Sequence, residues 1–245
     1  MSKLDRKPRE VPQTDLDGLE ILRHISPFSY VVERVFRLLG RVTPERLFAP
    51  TRVDIQNTFR DPSDRIAAAR SRGIRIEAYL LTWILIEAAA IILGTGYNGT
   101  GVTAFFTGAV VIRIVDIIQV TGNVSLFERL RIKWKYYYVE NTVRTILLSM
   151  INYLELVVCF GYIYCLFGRS GRYLTFTESI YDGYYFSGVT QFTIGYGDIT
   201  PTGPVKYIAL FQGFLGFLFT ILILGRFIHL LPEVNEDVPV NEDVP

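Results

Sequence analysis

Six consecutive residues in the last quarter of the chain could bind a cation through their backbone. Residues 193–198 read Thr-Ile-Gly-Tyr-Gly-Asp and lie between a short amphipathic stretch and a long apolar one. Glycines at alternate positions let a non-helical backbone adopt dihedral angles that are closed to other residues. Such a run can turn successive carbonyl oxygens toward one axis, and rings of carbonyl oxygens can replace the water around a bare potassium ion.

Each residue of this segment has an expected role. The hydroxyl and carbonyl of Thr193 would form the inner ring of oxygens. The carbonyls of Ile194, Gly195 and Tyr196 would form the rings above it. Gly195 and Gly197 would permit the alternating backbone that this arrangement requires.

The side chains at the outer end of the segment have a supporting role in this interpretation. The Tyr196 ring would point away from the axis and brace the segment, with Tyr185 and Phe186 as its expected supports. Asp198 would lie at the outer mouth, where its charge could anchor the segment or attract cations.

A short helix is expected to position the segment. Thr175-Phe-Thr-Glu178 is a capping-box pattern, and a helix from Glu178 to Phe192 can follow it. A helix of about four turns is too short to cross a membrane, so it fits a re-entrant helix that runs into Thr193. Its C-terminal end carries a partial negative charge of roughly half an electron, which favours a cation there. One segment cannot close a ring, so the chain is expected to form a fourfold homo-oligomer.

Four apolar stretches have the length of about 20 residues that crosses a hydrocarbon core. They run from Ile76 to Leu93, Val102 to Val120, Ile146 to Phe167 and Tyr207 to Gly225. Basic residues cluster before the first stretch and between the second and third, whereas residues 94–101 carry no charge. Positive residues stay on the cytoplasmic side. This predicts a multi-pass protein of the cell membrane with both termini in the cytoplasm and residues 168–204 outside.

Charged residues inside the predicted spans call for partners, because an unpaired charge within a membrane is costly. Glu87, Arg113 and Glu155 fall at similar depths when ~1.5 Å is counted per helical residue. We predict that Arg113 pairs with Glu87 or Glu155. Asp116, three residues further along the same helix, is the local competitor.

The remaining sequence suggests five regions. Residues 1–75 form a cytoplasmic region whose residues 19–40 have an amphipathic pattern, suited to a membrane surface, a partner or the protein's own subunit. Residues 76–121 form a two-helix membrane domain, and residues 122–145 an interfacial linker in which Ser125–Tyr138 mixes basic and aromatic residues. Residues 146–231 form a region with the last two apolar stretches and the segment between them, which is the expected pore domain. Residues 232–245 read as a disordered acidic tail.

Composition excludes several classes of function. Of the 245 residues 50% are hydrophobic, and the net charge of +1 gives no electrostatic basis for nucleic-acid binding. Cys159 and Cys165 would lie ~9 Å apart along one helix, too far apart for a disulfide. The sequence contains no phosphate-binding loop, nucleophile triad or metal-ligand cluster. It therefore predicts a protein that is not an enzyme and needs no cofactor.

Residues 146–231 resemble the pore module of the potassium channel superfamily: an outer helix, a pore helix, Thr-Ile-Gly-Tyr-Gly-Asp as the selectivity filter and an inner helix. The resemblance implies an all-α membrane protein with four transmembrane helices and a re-entrant pore helix. It also implies a homotetramer surrounded by membrane lipids, which conducts K⁺ passively and selectively.

The chain departs from this family at several positions. Phe192 stands where many members have a second threonine, and Val189 where some carry a carboxylate that bonds the outer aspartate. Tyr185 and Phe186 stand where tryptophans are frequent. The hinge glycine of the inner helix has two candidates, Gly213 and Gly216, although glycines also serve close helix packing.

Two other functions remain open at this point. Because Phe192 departs from the usual pattern, the chain could be a cation channel of poor selectivity. It could also be a membrane-bound sensor or regulatory subunit whose filter-like segment is only structural. Neither the gating stimulus nor a regulatory partner of residues 1–75 can be read from the sequence.

Overall fold

The computed structural model describes residues 26–39, 44, 62–94, 100–127, 139–169, 171, 173–174, 179 and 181–228. These residues form helices and connecting turns and contain no strand. Two short π-helical turns, Ala90–Gly94 and Asn123–Phe127, extend the second and third helices. The helices are α1 (Pro27–Leu39), α2 (Pro62–Ala89), α3 (Thr100–Gly122), α4 (Val139–Gly168), α5 (Asp182–Gln191) and α6 (Val205–Ile228).

Four of these helices are long and apolar enough to cross a membrane. The candidate spans are residues 70–93, 100–125, 143–168 and 205–228. Each contains one of the four stretches predicted from the sequence. The prediction of a helical membrane protein with four apolar spans is therefore confirmed at this level.

The long helix α4 forms the centre of the fold, because it packs against α3, α5 and α6. Leu156, Cys159 and Tyr164 of α4 are fully buried among apolar side chains of the neighbouring helices. Phe186 of α5 and Phe219 of α6 belong to the same core. Burial of this α4 surface holds the short helix α5 in place between two long ones.

The amphipathic N-terminal helix packs on its own subunit along one side. Gln119 and Asn123 donate side-chain hydrogen bonds to the Phe36 carbonyl of α1, at 3.3 and 3.4 Å. Phe28 and Leu38 of α1 are exposed. Of the three surfaces suggested for residues 19–40, the structure thus shows the subunit's own. Residues 19–25, most of the predicted linker helix and the acidic tail lie outside the described residues.

The short helix begins four residues later than its sequence predicts. Residues 175–178, the predicted capping box, lie outside the described residues, and α5 starts at Asp182 rather than Glu178. A different local pattern precedes it. The Ser179 N–H donates to the Asp182 carboxylate at 3.2 Å, and the Tyr181 N–H donates to the Ser179 hydroxyl at 3.2 Å. The Asp182 N–H also donates to the Ser179 carbonyl at 3.0 Å, so a hydrogen-bonded turn at residues 179–182 leads into the helix.

Candidate functional site

The backbone of the glycine-containing segment alternates between left-handed and ordinary conformations. Thr193, Gly195 and Gly197 have φ angles of +57°, +62° and +80°. Ile194 and Tyr196 between them are not among the residues with positive φ. Alternation of this kind allows successive peptide groups to face the same way along the chain. It arises at the positions where the sequence places its glycines, and also at a threonine.

The left-handed conformation of Thr193 is explained by the way α5 ends. The Ile194 N–H donates to the Val189 carbonyl at 2.9 Å, and the Thr193 N–H donates to the Thr190 carbonyl at 3.2 Å. This pair of bonds is the Schellman motif, whose left-handed residue is usually glycine. Left-handed backbone costs a non-glycine residue roughly 1–2 kcal/mol. Strain of this kind persists where the surroundings impose it, and it clusters at functional sites.

Phe192, which stands where many family members have a second threonine, is held in place by a contact with α4. Its ring packs edge-on against Tyr153, with the two centroids 5.8 Å apart. The Tyr153 hydroxyl also donates to the Gln191 carbonyl at 3.1 Å. One α4 side chain thus fixes both the last residue of α5 and the residue that follows it.

The Tyr196 ring extends from the subunit with 70% of its surface exposed. Its expected supports have other contacts in the same subunit. Phe186 is buried edge-on against Tyr164, with centroids 4.8 Å apart, and Tyr185 bonds Asp198. The bracing of Tyr196 therefore stays a prediction that requires a neighbouring copy.

Asp198 is anchored by a hydrogen bond from Tyr185. The Tyr185 hydroxyl donates to the Asp198 carboxylate at 2.7 Å. This bond lowers the pKa of Asp198, because it stabilises the ionised carboxylate, and raises the pKa of Tyr185 to about 12. Val189, at the family's carboxylate position, is buried. Tyr185 is thus the side chain that anchors Asp198 here.

Substituting Tyr185 with phenylalanine should make the outer mouth more sensitive to acid. The tyrosine's stabilisation of Asp198 is present above the ordinary aspartate pKa of about 4 and is lost as pH falls through the lowered value. Without the hydroxyl, the pKa of Asp198 returns upward. If the segment conducts K⁺ as its sequence predicts, K⁺ uptake by proteoliposomes, measured from external pH 7 down to 3, should decline at a higher pH in Y185F.

The matched control is Tyr181→Phe, since Tyr181 is an exposed tyrosine just before the same helix. Its pH profile should follow that of the unmodified protein. Superimposable profiles for Y185F and the unmodified protein would contradict an anchoring role for Tyr185.

A buried hydrogen-bond network joins α5 to both neighbouring helices. Gln212 of α6 donates to the Ser187 carbonyl at 3.0 Å and accepts from the Tyr164 hydroxyl at 2.8 Å. Ser187 in turn donates to the Val157 carbonyl of α4 at 2.8 Å. The sequence interpretation missed these residues. Gln212 carried a usable signal, because an amide inside an otherwise apolar span often bonds a neighbouring helix.

The two candidate hinge glycines lie in different surroundings. A Cβ atom at Gly216 would lie 2.6 Å from the Gln191 carbonyl oxygen, whereas one at Gly213 would meet nothing within 4 Å. Gly216 thus allows α6 to approach the C-terminal end of α5. Close packing is thus one role of Gly216, and a hinge at Gly213 or Gly216 stays a prediction.

Substituting Gly216 with alanine should therefore disturb the end of α5. Overpacking against backbone costs roughly 1–3 kcal/mol, so we expect a lower melting temperature of the purified protein. Gly213→Ala on the same helix is the control and should melt no lower. Equal melting temperatures for G216A and the unmodified protein would argue against the packing role.

Arg113 lies in the centre of a second buried network, which involves three helices. Its guanidinium donates to Glu155 through Nε at 3.0 Å and through Nη2, and to Asp116 through Nη1 at 2.8 Å. The Tyr79 and Trp83 rings of α2 lie 5.4 and 5.5 Å from its Cζ atom. Only 2% of Arg113 is exposed. Glu155 and Asp116 are therefore the carboxylates that the structure brings to this arginine.

Glu87 has a different partner. It is buried in α2 and accepts a hydrogen bond from the Cys159 thiol at 3.3 Å. Cys159 and Cys165 are both free thiols. The intramembrane charges thus join α2 and α3 to α4, away from the segment at residues 193–198.

Comparison with known proteins gives a family for the C-terminal part of the chain. Residues 152–233 match a family model described as "Ion channel". Protein LctB of Bacillus caldotenax is 31% identical over 85 residues, which cover 30% of this chain and 63% of the relative. Protein LctB of Geobacillus stearothermophilus is 40% identical over 45 residues, which cover 18% of this chain and 34% of the relative. The chain thus spans less than two thirds of either relative's length. No solved structure gives a significant match.

Proposed function

We propose that the chain is one subunit of a potassium-selective channel, because residues 152–233 match a family model described as "Ion channel" and resemble the pore module of the potassium channel superfamily. The family match confirms the resemblance found in the sequence and supports an ion channel subunit. In the proposed channel K⁺ passes down its gradient, without a chemical cofactor, through a pore shared by four copies.

The observation that carries the proposal is the alternating backbone at residues 193–197. Left-handed residues at positions 193, 195 and 197 suit a segment whose carbonyl oxygens face one side. Four such segments around a common axis would present stacked rings of oxygen, which substitute for the water of a K⁺ ion. In this arrangement Thr193 to Tyr196 supply the oxygens, and Asp198, held by Tyr185, gives the outer mouth a negative charge.

The requirement for several copies follows from the exposure of this segment. Residues 192–198 are all exposed in the single subunit. Non-helical backbone at membrane depth is tolerated only where protein buries it or where it lines water. Neighbouring copies would cover the outward side chains, such as that of Tyr196, and leave the oxygens facing a water-filled axis. Helix α5 would then be a re-entrant pore helix whose C-terminal end points at the ion.

The proposed channel lies in the cell membrane with both termini in the cytoplasm. Arg113 is a weak candidate for a voltage sensor, because a sensing charge must move through the field and Arg113 is bonded to two carboxylates. Control by residues 1–75 or by a partner is compatible with this arrangement.

Reversal potentials of the purified protein in planar bilayers test the proposal. With K⁺ on one side and Na⁺ on the other, a selective pore gives a large potential of the sign set by K⁺. A reversal potential near zero would favour the weakly selective cation channel. Absence of current from a protein that has reconstituted as a tetramer would favour the sensor or regulatory subunit.

A further inference from the structure

A cavity of about 60 Å³ lies among α2, α3 and α4, apart from the segment at residues 193–198. Much of its wall is apolar and includes Ile76, Leu80, Val120 and Leu148. Its polar wall includes Arg113 and Asp116 of the buried network. A cavity of this size holds a few heavy atoms, such as a hydroxyl group with the first carbons of an alkyl chain.

Two oxygens that belong to residues lining this cavity lack hydrogen-bond partners among the described residues. They are Oδ1 of Asp116 and Oγ1 of Thr121, and both side chains are almost completely buried. Asp116 uses its other oxygen to accept from Tyr79 at 2.6 Å and from Arg113 at 2.8 Å. A buried polar atom without a partner costs about 1–3 kcal/mol. These two oxygens therefore favour a bound molecule, or guest, that donates a hydrogen bond to the Asp116 carboxylate and accepts one from the Thr121 hydroxyl.

The charges around the cavity favour a neutral guest. The charge of Arg113 is already paired with Asp116 and Glu155. An added cation or anion would need a partner of its own in a region of low dielectric constant, where burying an ion is costly.

Water suits only the polar part of the cavity. A buried water needs two to four polar partners, and Asp116, Thr121, Ser149 and Asn152 offer them on one side. Additional water would lie against Ile76, Leu80, Val120 and Leu148. A hydroxyl on an alkyl chain would engage the two oxygens and cover this apolar wall with its carbons.

We propose that this cavity is a binding site for the hydroxyl head of a neutral, membrane-dissolved amphiphile, such as a long-chain alcohol. The hydroxyl donates to Asp116 Oδ1 and accepts from Thr121, and the first carbons of the chain lie against Leu80 and Leu148. The rest of the chain extends from the cavity into the lipid.

The cavity shares residues with a contact of the inner helix. Arg226, near the end of α6, donates to the Ser149 hydroxyl at 3.2 Å and to the Thr145 carbonyl at 3.5 Å. Both acceptor residues also line the cavity. A guest in the cavity would therefore press on the residues that hold the cytoplasmic end of α6. This regulatory part rests on the proposed channel function, whereas the binding site itself does not.

Photolabelling tests the site without any need for flux. Purified full-length protein in lipid nanodiscs is labelled with 1-octanol that carries a diazirine on its chain, and the labelled positions are mapped by mass spectrometry. We expect labels on residues lining the cavity, and unmodified 1-octanol should displace them. A diazirine octane without the hydroxyl should label the exposed, lipid-facing Leu81 and Leu85 but not the cavity.

Two variants make the test specific. Thr121→Val removes an oxygen that has no partner among the described residues, so it should fold normally while displacement requires roughly fivefold more octanol. Val120→Phe fills the cavity and should abolish its labelling while Leu81 and Leu85 stay labelled. Labels confined to lipid-facing residues, or cavity labelling that is equal with and without the hydroxyl, would overturn the site and leave water as the occupant.

Flux measurements then test regulation. Octanol should change K⁺ flux through the unmodified protein, and this change should be absent in Arg226→Gln although the cavity is still labelled. Cavity labelling with no octanol effect on the flux of a conducting protein would overturn the regulatory part alone. Absence of any basal flux would instead count against the proposed channel function.

Discussion

Substituting Gly195 with alanine is expected to abolish K⁺ flux while the protein continues to fold and assemble. Gly195 has a φ of +62°, and a Cβ atom there would meet nothing within 4 Å in the subunit. The expected loss of flux therefore comes from backbone strain rather than from a steric clash. Left-handed backbone costs alanine about 1–2 kcal/mol, which four copies around one axis would multiply. Rotation of the peptide group relieves this cost and turns a carbonyl oxygen away from the ion.

The structure provides a control with the same strain outside the segment. Gly171, in the turn after α4, has a φ of +60° and equally open surroundings. Gly171→Ala should carry a similar backbone cost and keep normal flux. Rates of K⁺ uptake into proteoliposomes that contain equal amounts of each protein compare the two variants. Normal uptake by G195A would show that the conformation at residue 195 does not serve conduction.

The spans and the segment at residues 193–198 could be predicted because they depend on local properties of the sequence. Length and apolar content determine whether a helix can cross a membrane. Glycine marks the places where left-handed backbone is easiest. The conformation of Thr193 could not be predicted in this way. It results from the hydrogen bonds that close α5, and a β-branched residue rarely occupies that position.

The contacts between helices were harder to foresee, because they depend on how the helices are rotated and packed. Counting depth along each span left Glu87 and Glu155 as equal candidates for Arg113. The packing of α3 on α4 brings Glu155 to the arginine, and Cys159 meets Glu87. The bond from Tyr185 to Asp198 spans 13 positions and depends on the turn between them. A contact between residues this far apart in the sequence cannot be predicted from hydrophobic periodicity alone.

Substituting Arg113 with glutamine should strongly destabilise the protein. The guanidinium bonds Glu155, Asp116 and Asn152 at once, and its removal would leave two buried carboxylates without their cation. Breaking a buried ion pair from one side costs about 3–5 kcal/mol. We expect little R113Q protein in the membrane fraction and an early loss of the monodisperse peak on heating before size-exclusion chromatography.

Two further variants separate this cause from a general effect of losing an arginine. Arg75→Gln removes an exposed arginine of α2, whose side chain bonds the Ser71 hydroxyl at 3.5 Å, and should behave like the unmodified protein. Adding Glu155→Gln to R113Q removes one of the two stranded charges and should recover part of the lost stability. Because Asp116 keeps its bond from the Tyr79 hydroxyl, recovery should remain partial. If R113Q expresses and melts like R75Q, the buried network does not hold α2, α3 and α4 together.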